Sequence, residues 1–271
     1  MIFPFRQKAK EWLFEKLFQK KFFPGRMTPR KELIDLIEKL RPIETDKKLI
    51  RLGPAKDGGY LVPDDLEGIE ALISPGVDIE SGFELDCAGR EMEVFMVDAS
   101  VAGPAIAHPR FHFYPLFMGT SADPKFVTLE KFISEKVEPS FKNDLLLQMD
   151  IEGAEWETLL QVPSDVLNRF RIMVIEFHNL DNLHNKPYFD LISGLFEKLL
   201  HTHRVVHLHP NNACKNVAFG GIEIPEYMEF TFLRKDRIGS GKPATQIPHP
   251  LDVDCTVNAP YPLPSIWYKS E

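Results

Sequence analysis

Apolar runs and amphipathic stretches alternate from residue 69 to residue 209, and this alternation constrains the fold more than any other feature of the chain. Strands are predicted over 69–74, 93–98 and 111–117, a fourth begins at Leu145, and two more span 171–178 and 204–209. A last strand over 228–233, MEFTFL, follows with no full helix before it. Strand–helix alternation implies a parallel sheet with helices on both faces, and the final strand is expected to enter antiparallel. The result is an α/β sheet of about seven strands. A helix is expected over 29–40, ahead of the first strand and with Thr28 as N-cap, and others between strands over 126–133 and 191–200.

The stretch 145–160, LLLQMDIEGAEWETLL, reads as buried strand, acidic turn and helix, stopped by Pro163. Ligands of open α/β sheets bind beyond the carboxyl ends of the strands, where Asp150 and Glu152 fall. Glu155 and Glu157 read as acids that favour a helix N-terminus. After the first strand, Gly76 allows a tight turn beside a ligand. Asp98 ends the second strand 24 positions after Ser74. An acid about 20 residues beyond a glycine turn can take ribose hydroxyls, and the simpler alternative is a cap on the next helix. No GxGxxG motif occurs, which disfavours a dinucleotide fold. Asp57-Gly58-Gly59 is either a plain hairpin turn or a place where backbone approaches a ligand.

Glu176 and His178 share a face at the end of the fifth strand, as do His207 and His209 on the sixth. Together with Asp150 they form a candidate reaction centre. In one version His178 or His209 takes a proton directly. In the other, Asp150, Glu176, His178 and His209 hold a divalent ion such as Mg²⁺ or Mn²⁺.

The net charge of −8 argues against a general nucleic-acid binder. Cys87, Cys214 and Cys255 show neither a metal-type pair nor a disulfide framework, so a reduced, cytoplasmic setting is expected. No apolar run approaches the ~20 residues of a membrane span. Residues 1–25 are basic and aromatic. They read as a helix that packs on its own domain, self-associates or touches a membrane peripherally. The proline-rich end of the chain reads as an extended tail wrapped over the surface.

MDIEGAEWETLL resembles the signature of the FkbM family of S-adenosylmethionine-dependent methyltransferases. The DGGY segment at 57–60 supports the resemblance, as do Ser74, Gly76, Val77, Phe83 and Glu84 in an SxGV…FE arrangement. The resemblance covers 50–271 and leaves 1–49 as an N-terminal helical appendage. It implies a Rossmann-like class I methyltransferase sheet and S-adenosylmethionine as cofactor. On this resemblance Ser74, Gly76, Glu84, Asp98, Ser121 and Asp150 are the candidate cofactor contacts, with Ser121 in the loop that borders adenine in this fold. It also implies O-methylation of a sugar, glycan or glycosylated natural product. Two other function classes stay open: a metal-dependent hydrolase built on Asp150, Glu152, Glu176 and His178, and a module docking membrane or partner through 1–25.

Overall fold

The computed structural model describes residues 25–214 and 216–269, together with Trp12, residues 14–17 and Gln19. The basic, aromatic reading of 1–25 therefore lies almost wholly outside the described residues. No helix among them is long and apolar enough to cross a membrane.

The chain builds one seven-stranded sheet. Its strands in chain order are β3 (Ala71–Pro75), β4 (Glu93–Val97), β5 (Phe111–Tyr114), β6 (Leu145–Met149), β7 (Phe170–Phe177), β8 (His203–Pro210) and β9 (Met228–Arg234). A small hairpin, β1 (Leu49–Leu52) and β2 (Tyr60–Pro63), precedes them. Across the sheet the order is β8-β9-β7-β6-β3-β4-β5. The central pairs are parallel, while β9 runs antiparallel between β7 and β8. This is the Rossmann-like class I methyltransferase sheet expected above, with the last strand inserted antiparallel.

Every residue of β3, β6 and β7 is buried. Such runs suit strands covered on both faces. Alternation divides their side chains between two cores. Leu145, Leu147 and Met149 face one core with helices α1 (Arg30–Leu40), α4 (Glu155–Gln161) and α5 (Lys186–Thr202). Leu146, Ile172 and Val174 face the other, with helix α2 (Gly82–Ala88) and the β1–β2 hairpin. Helix α1, which the sequence reading put in an appendage, buries Leu33, Leu36, Ile37 and Leu40 in the first of these cores. Thr28 is not its cap, because its hydroxyl donates to the Leu183 carbonyl at 2.6 Å.

Two expectations change near β5. The third strand stops at Tyr114, since Pro115 cannot donate to the ladder. Phe117–Met118 then pairs separately with Phe126–Val127, and helix α3 starts only at Leu129 (Leu129–Phe132), capped by Thr128. Phe126 and Val127 are thus extended, where periodicity suggested helix.

Strand order reverses between the parallel neighbours β3 and β6, the switch point at which crevices open in such sheets. Gly76 lies there with φ +81°, and a Cβ on it would meet the Asp150 carbonyl oxygen at 1.6 Å. Backbone at both positions would have to move. Gly76→Ala is expected to cost about 3 kcal/mol or more, from overpacking plus a left-handed φ. Gly103→Ala, where a Cβ meets nothing within 4 Å, should be nearly neutral. Urea denaturation of the two variants checks both.

Candidate active site

The carboxyl ends of β3, β4, β6 and β7 frame the crevice. Gly76 hands the chain to a loop in which Asp78 has φ +45°. Asp98, just past β4, organises that loop. Its Oδ2 accepts from the backbone N–H groups of Val77 (2.9 Å) and Asp78 (3.1 Å). Its Oδ1 accepts from the Ser100 N–H (2.7 Å) and hydroxyl (2.6 Å). Burial works against the charge, yet these hydrogen bonds win and hold Asp98 below the usual carboxylate range. A carboxylate has about four acceptor sites. Asp98 can therefore reach a ribose hydroxyl only as the Ser100 hydroxyl turns away.

Behind the loop, Ser74 Oγ sits between Glu84 Oε1 (2.5 Å) and Gln148 Oε1 (2.8 Å). One hydroxyl proton cannot serve both oxygens. The arrangement balances when Glu84 keeps its own proton and donates to Ser74. Burial accordingly pushes Glu84 up to about 7.

The acidic turn after β6 is held by a residue that the sequence reading treated as a helix-start acid. Glu155 is fully buried, and its Oε1 accepts from the N–H of Ile151 (2.9 Å) and of Gly153 (3.1 Å). These bonds set the turn so that Glu152 takes φ +57°. Asn179, after β7, is also left-handed at φ +58°. Strained residues of this kind cluster where surrounding structure holds a site in place.

His178 joins the two strand ends. Its Nε2 lies 3.8 Å from Asp150 Oδ1 and 3.5 Å from Glu152 Oε2, and its Nδ1 lies 3.3 Å from Glu155 Oε1. Trp156 Nε1 donates to its carbonyl at 2.7 Å, and Tyr227 packs against the ring. Burial pulls its pKa down, but Glu155 and Asp150 outweigh that and lift it to about 9. Asp150 is pushed well above the usual range by burial and by Glu176. Burial and Glu229 raise Glu176 to about 8. The strand ends therefore hold more negative potential than one imidazolium neutralises, and the carboxyl groups keep protons instead.

A cavity of about 630 Å³ opens over this edge. Gly76, Asp78, Glu84, Asp98, Asp150 and Glu152 line it. Asp57, Gly58 and Tyr60 close it from the β1–β2 hairpin, so the glycine turn does bring backbone to the cavity wall. Phe117, Met118 and Phe126 form an apolar side. Among the described residues, seven carboxylate residues line the cavity against one basic residue, Lys56, which pairs with Glu80 at 2.9 Å.

Ser121 is not in this wall. The short Phe117–Met118 ladder turns its loop outward, and Ser121 is exposed with its hydroxyl on Asp123. The structure also divides the proposed metal quartet. Among the described residues, ligand atoms of Asp150, Glu152 and His178 lie within 4.8 Å of one another, and those of His209, Glu229 and Cys255 form a second such group. His209 falls in the second group because β9 inserts between β7 and β8 and sets Glu229 opposite both Glu176 and His209. Glu176 belongs to neither group, and its Oε1 accepts from Asn211 Nδ2 at 2.9 Å.

The raised pKa of His178 has a consequence for stability. A histidine at about 9 when folded and ~6.5 when unfolded stabilises the fold fully below pH ~6.5, and this is lost as pH rises through about 9. His178→Gln should make the fall in stability between those pH values shallower, by up to about one proton's worth of slope. Denaturation curves across pH 6–10, roughly the window set by those two values, test this, and an unchanged slope would contradict the geometry.

No protein-family model and no curated protein matches the chain. Among solved structures, it is similar to a protein assigned as an rRNA methylase from Clostridium thermocellum, at 8% identity over 61% of this chain and 88% of that one, with TM-score 0.32. It is also similar to a variant 16S rRNA adenine-N1 methyltransferase from Catenulisporales acidiphilia, at 12% identity over 69% and 99% of the chains and TM-score 0.32. A protein assigned as an antibiotic-pathway methyltransferase from Anabaena variabilis matches at 10% identity over 69% and 67%, with TM-score 0.27. At these values the likenesses carry no argument, and the fold stands on its strand order and pairing.

Proposed function

We propose that the chain is an S-adenosylmethionine-dependent methyltransferase of FkbM-like type, acting on a hydroxyl of a small polar acceptor such as a sugar, glycan or glycosylated natural product. One observation carries this reading: the crevice at the sheet's switch point is built for a cation. Its lining is acidic, and Asp150 Oδ1 is buried without a hydrogen-bond partner among the described residues. S-adenosylmethionine has a sulfonium and an ammonium group beside one carboxylate, which makes it a net cation, and bound, it supplies an electrophilic methyl group. A nucleotide cofactor that presents phosphates would be repelled by the same wall.

The chain's own residues then divide the work. The Gly76 loop and Asp98 offer a rigid edge for a ribose. Phe117, Met118 and Phe126 offer an apolar surface for a flat base. Asp150 faces the charged part of the ligand, and Glu152 and His178 border the approach of the acceptor. A hydroxyl must lose its proton for methyl transfer to oxygen. At neutral pH an imidazole with a pKa of about 9 is already protonated and cannot serve as base. A bound cation nearby favours the neutral ring, so cofactor binding would bring His178 into the range where it can accept a proton. The sequence reading allowed His209 in this role, but it stands with Glu229 and Cys255, away from the Asp150 group.

A second reading is favoured by the Asp150, Glu152 and His178 trio, whose donor set could hold Mg²⁺ or Mn²⁺ and activate the hydroxyl. A metal-dependent hydrolase would use the same trio. Tight S-adenosylmethionine binding argues against that hydrolase, and activity that survives thorough chelation argues against the metal. The three free cysteines, Cys87, Cys214 and Cys255, suit a reduced, cytoplasmic setting.

Methyl transfer from labelled S-adenosylmethionine should be detected against a panel of glycans and glycosylated compounds. With any acceptor found, Asp150→Asn should keep the fold and lower kcat by about 10²-fold or more. A near-normal kcat would make Asp150 a helix-start acid only.

A further inference from the structure

A second group of reactive side chains lies along the same sheet edge, outside the crevice. It combines residues from three parts of the chain: His209 near the end of β8, Glu229 on β9 and Cys255 in the C-terminal tail. Their ligand atoms all lie within 4.8 Å of one another. His209 and Glu229 are buried, at 8% and 5% exposure, and Cys255 is half-buried with its Sγ 3.6 Å from Glu229 Oε1.

Two further observations point to an occupant. His209 Nε2 is buried and has no hydrogen-bond partner among the described residues. Its other ring nitrogen, Nδ1, faces Asp252 Oδ2 at 3.7 Å. At that distance Asp252 is an ion-pair neighbour and not a hydrogen-bond acceptor of the ring, and it lies closer to His207, at 2.9 Å. A carboxylate on this side of the imidazole is nonetheless where a metal-binding histidine is commonly supported. Around the imidazole stand Glu229 from β9, Asp252 and Asp254 from the tail, and His207 from its own strand. The one cation that acts on this group among the described residues is Arg51 of β1, which favours the charged form of Glu229.

We infer that His209, Glu229 and Cys255 bind a divalent cation of the zinc class. One imidazole, one carboxylate and one thiolate suit this borderline ion, and three protein ligands leave a fourth position for water. Binding replaces the Cys255 thiol proton, which leaves to solvent, and forms the metal–sulfur bond. Glu176 lies opposite Glu229 on β7 but remains engaged with Asn211.

The ion would act as a clasp. Cys255 belongs to a tail segment that is already tied to this edge. Asp252 Oδ1 lies 2.9 Å from His207 Nε2, and Asn212 Nδ2 donates to the carbonyls of Thr256 and Asn258, each at 3.0 Å. A metal bond from Cys255 to β8 and β9 would fasten the same tail at a third point. This differs from the Asp150, Glu152 and His178 trio, which contains no sulfur.

That difference decides the test. The full chain is stripped of metal and titrated with Co²⁺, whose thiolate ligation gives a charge-transfer band in the near ultraviolet. The band should saturate at about one equivalent, vanish in Cys255→Ser and persist in Cys214→Ser. Zinc should abolish it by competition. The isosteric Asp252→Asn should keep the fold and weaken Co²⁺ binding by about ten- to a hundredfold, as loss of a supporting carboxylate does. Circular dichroism establishes that each variant is folded. Absence of a thiolate band in the wild-type protein at excess Co²⁺, or a band that survives Cys255→Ser, overturns the inference. Neither outcome depends on methyltransferase activity or on the Asp150 site.

Discussion

Gly76 lies so close to the Asp150 carbonyl that no side chain fits between them, and the crevice depends on that contact. It brings the ends of the parallel strands β3 and β6 together at the point where strand order reverses in the sheet. The rest of the arrangement follows from it. The loop after Gly76 must turn sharply, and Asp98 secures it with acceptor bonds to Val77, Asp78 and Ser100. The turn after Asp150 must bend equally sharply, and Glu155 secures that one from below. Two buried carboxylates thus hold two loops, and the space between the loops is the cavity.

The second constraint is electrostatic. Asp150, Glu152, Glu155 and Glu176 gather around one imidazole, with Tyr60 and Gln148 packed into the same edge. Burial makes it costly for Asp150 and Glu176 to be charged, so both hold their protons to higher pH than a free carboxyl group does. Such an edge gains most from a ligand that brings positive charge with it. The same physics explains the neighbouring His209, Glu229 and Cys255 group, where a buried acid and a thiol are both pushed up in pKa beside an imidazole. Stability and binding are therefore coupled through protons along this side of the sheet.

Much of the fold was legible because β3, β6 and β7 are covered on both faces, which leaves continuous apolar runs in the sequence. The acids at 98 and 150 were legible for a related reason: polarity changes abruptly where a buried strand ends. Three features were not. Glu155 looked like a dipole acid, since nothing local reveals that it is fully buried beneath its own turn. Ser121 looked like a wall residue because the ladder between 117–118 and 126–127 has no periodic signature. His209 was grouped with Asp150 because periodicity tells which face a side chain takes but not which strands are neighbours. That answer depends on where β9 inserts, and with it came the partners Glu229 and Cys255.

The acidic crevice is expected to take a cation and to release protons as it does so. Calorimetric titration with S-adenosylmethionine near pH 7.5, about midway in the range where these groups are poised, in two buffers of different ionisation enthalpy, tests it most directly. Positive charge beside Asp150, Glu176 and His178 lowers pKa values that stand well above the usual range, at about 8 and at about 9 respectively. One ligand per chain is expected, with a binding enthalpy that changes between buffers in the sense of net proton release. Absence of binding, or binding with no proton released, would contradict it.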